Sequence, residues 1–80
     1  MKIIVAGPGC PRCQETERQV FNACAELNLD ADIGHVHDIK QFAAMGVMMT
    51  PAVLVDGKVV ISGKVPTREE LKALFRSLQP

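Results

Sequence analysis

The chain has 80 residues, 48% of them hydrophobic, and its nine basic and nine acidic side chains give a formal net charge of zero. This length predicts one domain, residues 1–80, with one core. Zero net charge argues against nucleic acid and anionic membranes as partners, since both bind cationic surfaces. With three Phe and no Trp or Tyr, the chain also lacks aromatic platforms on which bases stack.

The sequence shows no targeting segment and no membrane span. No apolar run approaches the ~20 residues that cross a bilayer, and the start lacks the long apolar stretch and cleavage site of a signal peptide. We therefore expect a mature chain that begins at Met1 and remains in the cytoplasm. We also expect a monomer that carries no cofactor.

The first predicted elements are a strand and a helix. Residues 2–6 form a short β-branched apolar run, typical of a buried strand in a parallel sheet, and residues 7–9, Gly-Pro-Gly, end it. Pro11 suits the first position of a helix, with Cys10 at the cap. Apolar residues at helical spacing extend this helix to about Leu27.

A second strand and a short helix follow. Residues 30–37 alternate well enough for a strand, although it contains a glycine and two histidines. Asp38 then caps a helix over residues 39–45, which Gly46 closes.

A hairpin and a last helix complete the pattern. Residues 51–55 and 58–62 are two β-rich runs that flank an Asp-Gly pair, a strong short-range hairpin signal. Thr67 and Glu70 form a capping box. The apolar stripe of the last helix is Leu71, Leu74, Phe75 and Leu78.

The order of these elements, βαβαββα, predicts an α/β fold. A right-handed crossover makes the first two strands parallel, and the hairpin adds an antiparallel pair. We therefore expect a four-stranded mixed sheet with helices on both faces.

Two of the three cysteines form a Cys-Pro-Arg-Cys motif, from Cys10 to Cys13, where the first strand passes into the first helix. The unpaired N–H groups and positive polarity of a helix N-terminus stabilise a thiolate. With Pro11 opening the helix and the charge of Arg12 between the two sulfurs, we expect a pKa of Cys10 below the free value of ~8.5. In a reducing compartment such a pair is more often catalytic or metal-binding than structural.

Three motifs in this order resemble the thioredoxin-fold superfamily and, more narrowly, the small bacterial and archaeal proteins called redox-active disulfide protein 2. They are Gly-Pro-Gly-Cys-Pro-Arg-Cys at residues 7–13, Gly-Val-Met-Met-Thr-Pro at residues 46–51, and Gly63 with the helix start at residues 65–71. The resemblance implies a thioredoxin-like fold and a thiol–disulfide oxidoreductase whose partners are protein or low-molecular-weight disulfides and a reductant or reductase.

The positions of the two cysteines at the helix start predict their roles: Cys10, outermost, is the nucleophile, and Cys13, one turn in and less exposed, resolves the mixed disulfide. The resemblance adds the residues that face them. Pro51 matches a cis-proline beside the dithiol, so that the backbone of Thr50 pairs with an extended substrate, and Met49 with Thr50 and Pro51 holds the partner.

A Cu(I)-binding metallochaperone-like carrier that uses the same cysteine pair is the alternative function. Two thiolates suit Cu(I), and Met45, Met48 and Met49 lie downstream, although we expect these to fill the core or line the groove. That fold ends in a strand, whereas this chain is predicted to end in a helix. A zinc site lacks its usual second ligand pair, so we predict no resident metal.

The remaining thiol and the two histidines are expected to be structural. Cys24 lies three helical turns after Cys13 on the same face, which predicts an inert core thiol. His35 and His37 share one face of an edge strand, and no third metal ligand is evident.

Overall fold

The structure, a computed structural model, describes residues 1–9 and 11–78. Within these residues no helix is long and apolar enough to cross a membrane. The elements are β1 (Lys2–Ala6), α1 (Pro11–Glu26), β2 (Asp32–Val36), α2 (Ile39–Met45), β3 (Ala52–Val55), β4 (Lys58–Ser62) and α3 (Arg68–Leu78). The predicted order βαβαββα is therefore confirmed.

The four strands form one mixed sheet in the spatial order β2-β1-β3-β4. β1 and β2 are parallel and pair as far as Ala6 and Val36. β3 is antiparallel to β1 and to β4. Consequently β1, β2 and β4 end, and β3 begins, at the same end of the sheet, which we call the site end. Because β1 is a central strand, the loop that follows Ala6 leaves from the middle of the site end.

The two faces of the sheet are covered by different helices, because alternate residues of a strand point to opposite sides. The α1 face, covered by α1 and α3, has a core of Ile3, Val5, Val20, Ala23, Cys24, Val53, Val55, Leu71 and Phe75. The opposite face, covered by α2, has a smaller core of Ala6, Phe42, Val47, Ala52 and Leu54. The predicted placement of helices on both faces is confirmed.

The short helices begin and end at the predicted capping residues. The carboxylate of Asp38 accepts a hydrogen bond from the backbone N–H of Lys40, 2.9 Å away, and Gly46 closes α2 with a φ of 81°. Before α3, the Glu70 N–H donates to Thr67 Oγ1 at 3.1 Å and the Thr67 N–H donates to Glu70 Oε1 at 3.2 Å. These contacts satisfy N–H groups that a helix leaves unpaired.

The α3 side chains give a test of which residues hold the fold together. Phe75→Ala removes a fully buried ring from the α1 face and is expected to lower the free energy of unfolding by about 3–5 kcal/mol. Urea denaturation monitored by circular dichroism measures this. Leu78→Ala is the control, because Leu78 lies on the same helix but is 39% exposed in the folded protein. It should lower the free energy of unfolding by less than about 1 kcal/mol. Equal losses in the two variants would contradict the assigned core.

Candidate functional site

The second cysteine of the motif lies in the first turn of α1. The helix begins at Pro11, the predicted first position. Cys13 is only 3% exposed, which agrees with its predicted position behind the surface. Cys10 lies outside the described residues, so its exposure and its distance from Cys13 stay predictions.

Gly7 provides the space that the Cys13 sulfur occupies. A Cβ atom added to Gly7 would lie 2.2 Å from Cys13 Sγ and 3.1 Å from Cys13 Cβ, which no side chain tolerates. The φ of Gly7 is not in the left-handed region, so the requirement for glycine here is one of space. The Gly7 N–H donates to the carbonyl oxygen of Val36 at 3.0 Å, which ties the loop to the end of β2.

Sequence reasoning treated Gly7 as the end of a strand and missed this contact. The available signal was a glycine directly after a buried strand and six residues before the second cysteine of the motif. A glycine at such a point indicates a close approach by another part of the chain.

The segment that precedes β3 also lies beside Gly7. Thr50 Cβ lies 4.0 Å from the position that a Cβ on Gly7 would take. The Thr50–Pro51 peptide bond is cis, the geometry that the resemblance implies, and Pro51 is fully buried. The structure therefore brings Thr50, Pro51 and Cys13 together around Gly7.

Met49 extends this surface toward the end of β4. Its side chain is 61% exposed, yet it packs so closely on Gly63 that a Cβ there would lie 2.9 Å from Met49 Cε. The Gly63 N–H donates to the Pro51 carbonyl oxygen at 3.0 Å. Met48, in contrast, is almost fully exposed, so the expectation that it fills the core is wrong for this residue, which projects into solvent.

Arg12 lies across the site from α1 to the end of β4. Its guanidinium donates to the carbonyl oxygen of Gly63 over a long 3.4 Å. The buried hydroxyl of Thr16 donates to the Arg12 carbonyl oxygen at 2.9 Å, which secures the first turn of α1. The sequence predicts this positive charge between the two sulfurs, and the structure directs it toward the surface that Met49 and Gly63 form.

His35 lies on the edge strand β2, whereas His37 directly follows its last residue, Val36, so the strand is shorter than the predicted 30–37. The two histidines form a cluster with a residue of α1. Their rings stack with centroids 4.3 Å apart, and His35 Nδ1 lies 2.8 Å from Glu17 Oε1. Sequence reasoning missed Glu17. In the described part of the chain, no group of three or more His, Cys, Asp or Glu residues is arranged to hold a metal ion.

Cys24 is buried in the core of the α1 face, where the sequence places it. Burial raises the pKa of the Cys24 thiol, because a low-dielectric surrounding disfavours the thiolate. Its chemistry therefore differs from that expected of a reactive cysteine, and the predicted structural role fits its position.

Comparisons with known proteins support the resemblance to the thioredoxin-fold superfamily. The chain matches the thioredoxin domain family over residues 1–76. It is 40% identical over 75 residues to a thioredoxin of Methanocaldococcus jannaschii, across 94% of this chain and 86% of the relative. It is 35% identical over 75 residues to a thioredoxin of Methanothermobacter thermautotrophicus, across 94% and 97%, and 28% identical over 82 residues to a probable thioredoxin of Archaeoglobus fulgidus, across 99% and 89%.

The contact between Gly7 and Cys13 can be tested by adding one methyl group. Gly7→Ala is expected to lower the free energy of unfolding by about 1–3 kcal/mol, because the methyl overlaps the buried sulfur. Gly34→Ala is the control, since a Cβ there meets Ile4 Cδ1 at an ordinary 3.4 Å; it should change stability by less than about 1 kcal/mol. Urea denaturation compares the two, and a Gly7→Ala protein as stable as Gly34→Ala would mean that the sulfur is placed elsewhere.

Proposed function

The chain belongs to the thioredoxin domain family and is a thiol–disulfide oxidoreductase, and from this premise we propose that Cys10 and Cys13 are its redox-active pair. The observation that carries the proposal is the position of Cys13, buried in the first turn of α1 against Gly7. A thiol so enclosed is poorly placed to meet a bulky disulfide, whereas Cys10, three residues earlier, precedes the helix. We therefore assign the first attack to Cys10 and the resolving attack to Cys13.

The proposed reaction transfers two electrons between two pairs of sulfurs. The Cys10 thiolate attacks one sulfur of the substrate disulfide, forms a mixed disulfide and releases one substrate thiolate. Cys13, as a thiolate, then attacks the Cys10 sulfur and releases the second. The protein leaves with a Cys10–Cys13 disulfide and the substrate with two thiols after two protons are taken up; the reverse sequence oxidises a substrate.

We propose that Met49, Thr50 and Pro51 hold the partner. Thr50 lies beside the Gly7 position that Cys13 fills, and the largely exposed Met49 offers an adaptable apolar contact. The backbone of Thr50 is available to pair with an extended chain, as in strand addition. A protein or low-molecular-weight disulfide is the proposed substrate class, and a reductant or reductase returns the dithiol.

Copper carriage by the same cysteines is not favoured. The element order ends with α3, unlike the chaperone fold that ends in a strand, and the family relationship supports exchange chemistry. The monomeric state, the cytoplasmic location and the narrower likeness to redox-active disulfide protein 2 stay predictions.

The assigned roles predict which variant traps a partner. Cys13→Ser should accumulate covalent mixed disulfides through Cys10, because nothing resolves them, whereas Cys10→Ser, the matched control, should accumulate few or none. Non-reducing electrophoresis of extracts, followed by mass spectrometry of the reducible bands, measures this. Equal trapping by the two variants would overturn the assignment of attacking and resolving cysteines.

The positive charge of Arg12 is proposed to favour the Cys10 thiolate. The rate of Cys10 alkylation against pH should show an inflection below ~8.5, and Arg12→Glu should move it upward by on the order of one pH unit, because an attractive charge becomes a repulsive one. Lys58→Glu makes the same charge change at the hairpin, at the opposite end of the sheet. If the inflection does not move in Arg12→Glu, or moves as far in Lys58→Glu, then Arg12 does not favour the Cys10 thiolate.

A further inference from the structure

A cluster of three polar side chains on the α1 face is not used by the mechanism above. Glu17 of α1 contacts His35 of β2 through Oε1 and Nδ1, 2.8 Å apart. The His35 ring stacks on that of His37, with centroids 4.3 Å apart and planes 24° from parallel. Stacking places the two imidazoles on the same side of β2, the side from which Glu17 approaches. We call these residues the Glu17–His35–His37 cluster.

Glu17 of the cluster is one helical turn from Cys13 in α1. Glu17 lies four residues after Cys13 in α1, and side chains with this spacing are neighbours, with Cβ atoms about 5–6 Å apart. Both side chains point toward the sheet, since Cys13 is buried against Gly7 and Glu17 contacts β2.

The sheet register also relates His37 to Gly7, the residue on which Cys13 packs. Ala6 pairs with Val36 in the parallel register, and the Gly7 N–H donates to the Val36 carbonyl oxygen. The same register, extended by one residue, sets His37 beside Gly7, and neighbouring strands are about 4.8 Å apart. Because Cys13 Sγ fills the side-chain position of Gly7, this register puts the backbone of His37 about one strand spacing from the residue on which that sulfur packs.

The resolving step needs a proton acceptor at this place. Only the thiolate attacks a disulfide, and an ionised group is costly in a buried site. The strand behind the sulfur supplies none, since β1 brings Val5 and Ala6 to the site end. An imidazole changes charge between about pH 5 and 8 and is suited to accept a proton near neutrality.

We propose that His37 accepts the proton of the Cys13 thiol during the resolving step, with His35 and Glu17 as positioning residues. Proton transfer leaves a Cys13 thiolate and a His37 imidazolium. The thiolate forms the bond to Cys10 Sγ as the bond from Cys10 to the substrate sulfur breaks, and the departing thiolate takes the proton from His37. The carboxylate of Glu17, bonded to the His35 ring on which His37 stacks, offsets the transient positive charge. The inference rests on the proposed function.

Among the described residues, the titratable neighbours of the two imidazoles come from α1 and from the chain that leads to α2. From α1, Glu17 contacts His35, and the Cys13 thiol lies one turn earlier. From β1, Val5 pairs with His35, and Gly7 follows the strand; neither residue titrates. On the chain toward α2 the next residue is Asp38, whose Oδ1 accepts from the N–H of Lys40 as the helix cap. Glu17 is therefore the carboxylate that we assign to the imidazoles.

The test follows the two halves of exchange with one aromatic disulfide, 5,5′-dithiobis(2-nitrobenzoate), in a Cys24→Ala background. The first coloured thiolate is released when Cys10 attacks and the second when Cys13 resolves, so stopped-flow absorbance separates the steps. At pH 7, His37→Ala should slow the second release by about tenfold to a hundredfold and change the first by less than twofold.

The pH profile distinguishes a proton acceptor from a structural role. In the parent protein the rate of the second release should depend on pH, between about pH 5 and 8, less steeply than thiol ionisation alone requires, because a general base takes the proton. In His37→Ala it should instead rise about tenfold per pH unit through this range, since only thiol ionisation remains. Glu17→Gln should lower the second rate by a smaller factor, whereas Glu15→Gln, on the same helix but paired with Arg18, should leave it unchanged.

Failure of this inference and failure of the proposed function give different results. A second release in His37→Ala with the parent rate and pH profile overturns the role of His37 and leaves the dithiol assignment intact. A parent protein that never gives the second release, or a Cys13→Ser variant that still gives it, overturns the proposed function itself. If thermal unfolding shows that His37→Ala is not folded, His37→Asn, which is polar but accepts no proton, decides in its place.

Discussion

The site depends on one steric constraint, which is that the sulfur of Cys13 occupies the volume where residue 7 would carry a side chain. This contact lets the first turn of α1 lie directly on the end of β1, a central strand of the sheet. The sulfur is thereby buried against the backbone of Gly7. Thiol–disulfide exchange requires the sulfurs to meet in line, so a sulfur positioned by packing lowers the entropy cost of the resolving attack that we propose for Cys13.

The site end of the sheet gathers its parts from distant segments of the chain. β1, β2 and β4 end there and β3 begins there, so Gly7, His37, the Thr50–Pro51 segment and Gly63 all lie at this end of the sheet. The larger core lies along the strands and in α1 and α3, and the smaller core reaches the site end only through the small side chains of Ala6 and Ala52. A chain of 80 residues has little apolar surface to spare, and placing the reactive groups at strand ends leaves nearly all of it for folding.

The elements were predictable from sequence because their signals are local. Asp38 and Gly46 delimit α2, and the Asp56-Gly57 turn has the positive φ angles of 51° and 86° that such a pair favours. Contacts through space were not predictable in the same way. Neither the spacing of Glu17 from the histidines nor the position of Gly7 indicates that they meet other segments, since both meetings depend on how α1 crosses the sheet. The direction of the Arg12 side chain toward Gly63 depends likewise on where β4 ends.

The burial of Cys13 follows from the same crossing. Where α1 lies on the end of β1, Cys13 faces Gly7, and the residue one turn later, Glu17, faces β2. His35, on the edge strand β2, has a side chain that is 49% exposed, and His37, directly after the strand, is also exposed. The Cys13 sulfur is thus buried against Gly7, and Glu17 on the same helix contacts His35. A single packing arrangement therefore accounts for the burial of Cys13 and supports the proposal that its proton leaves toward β2.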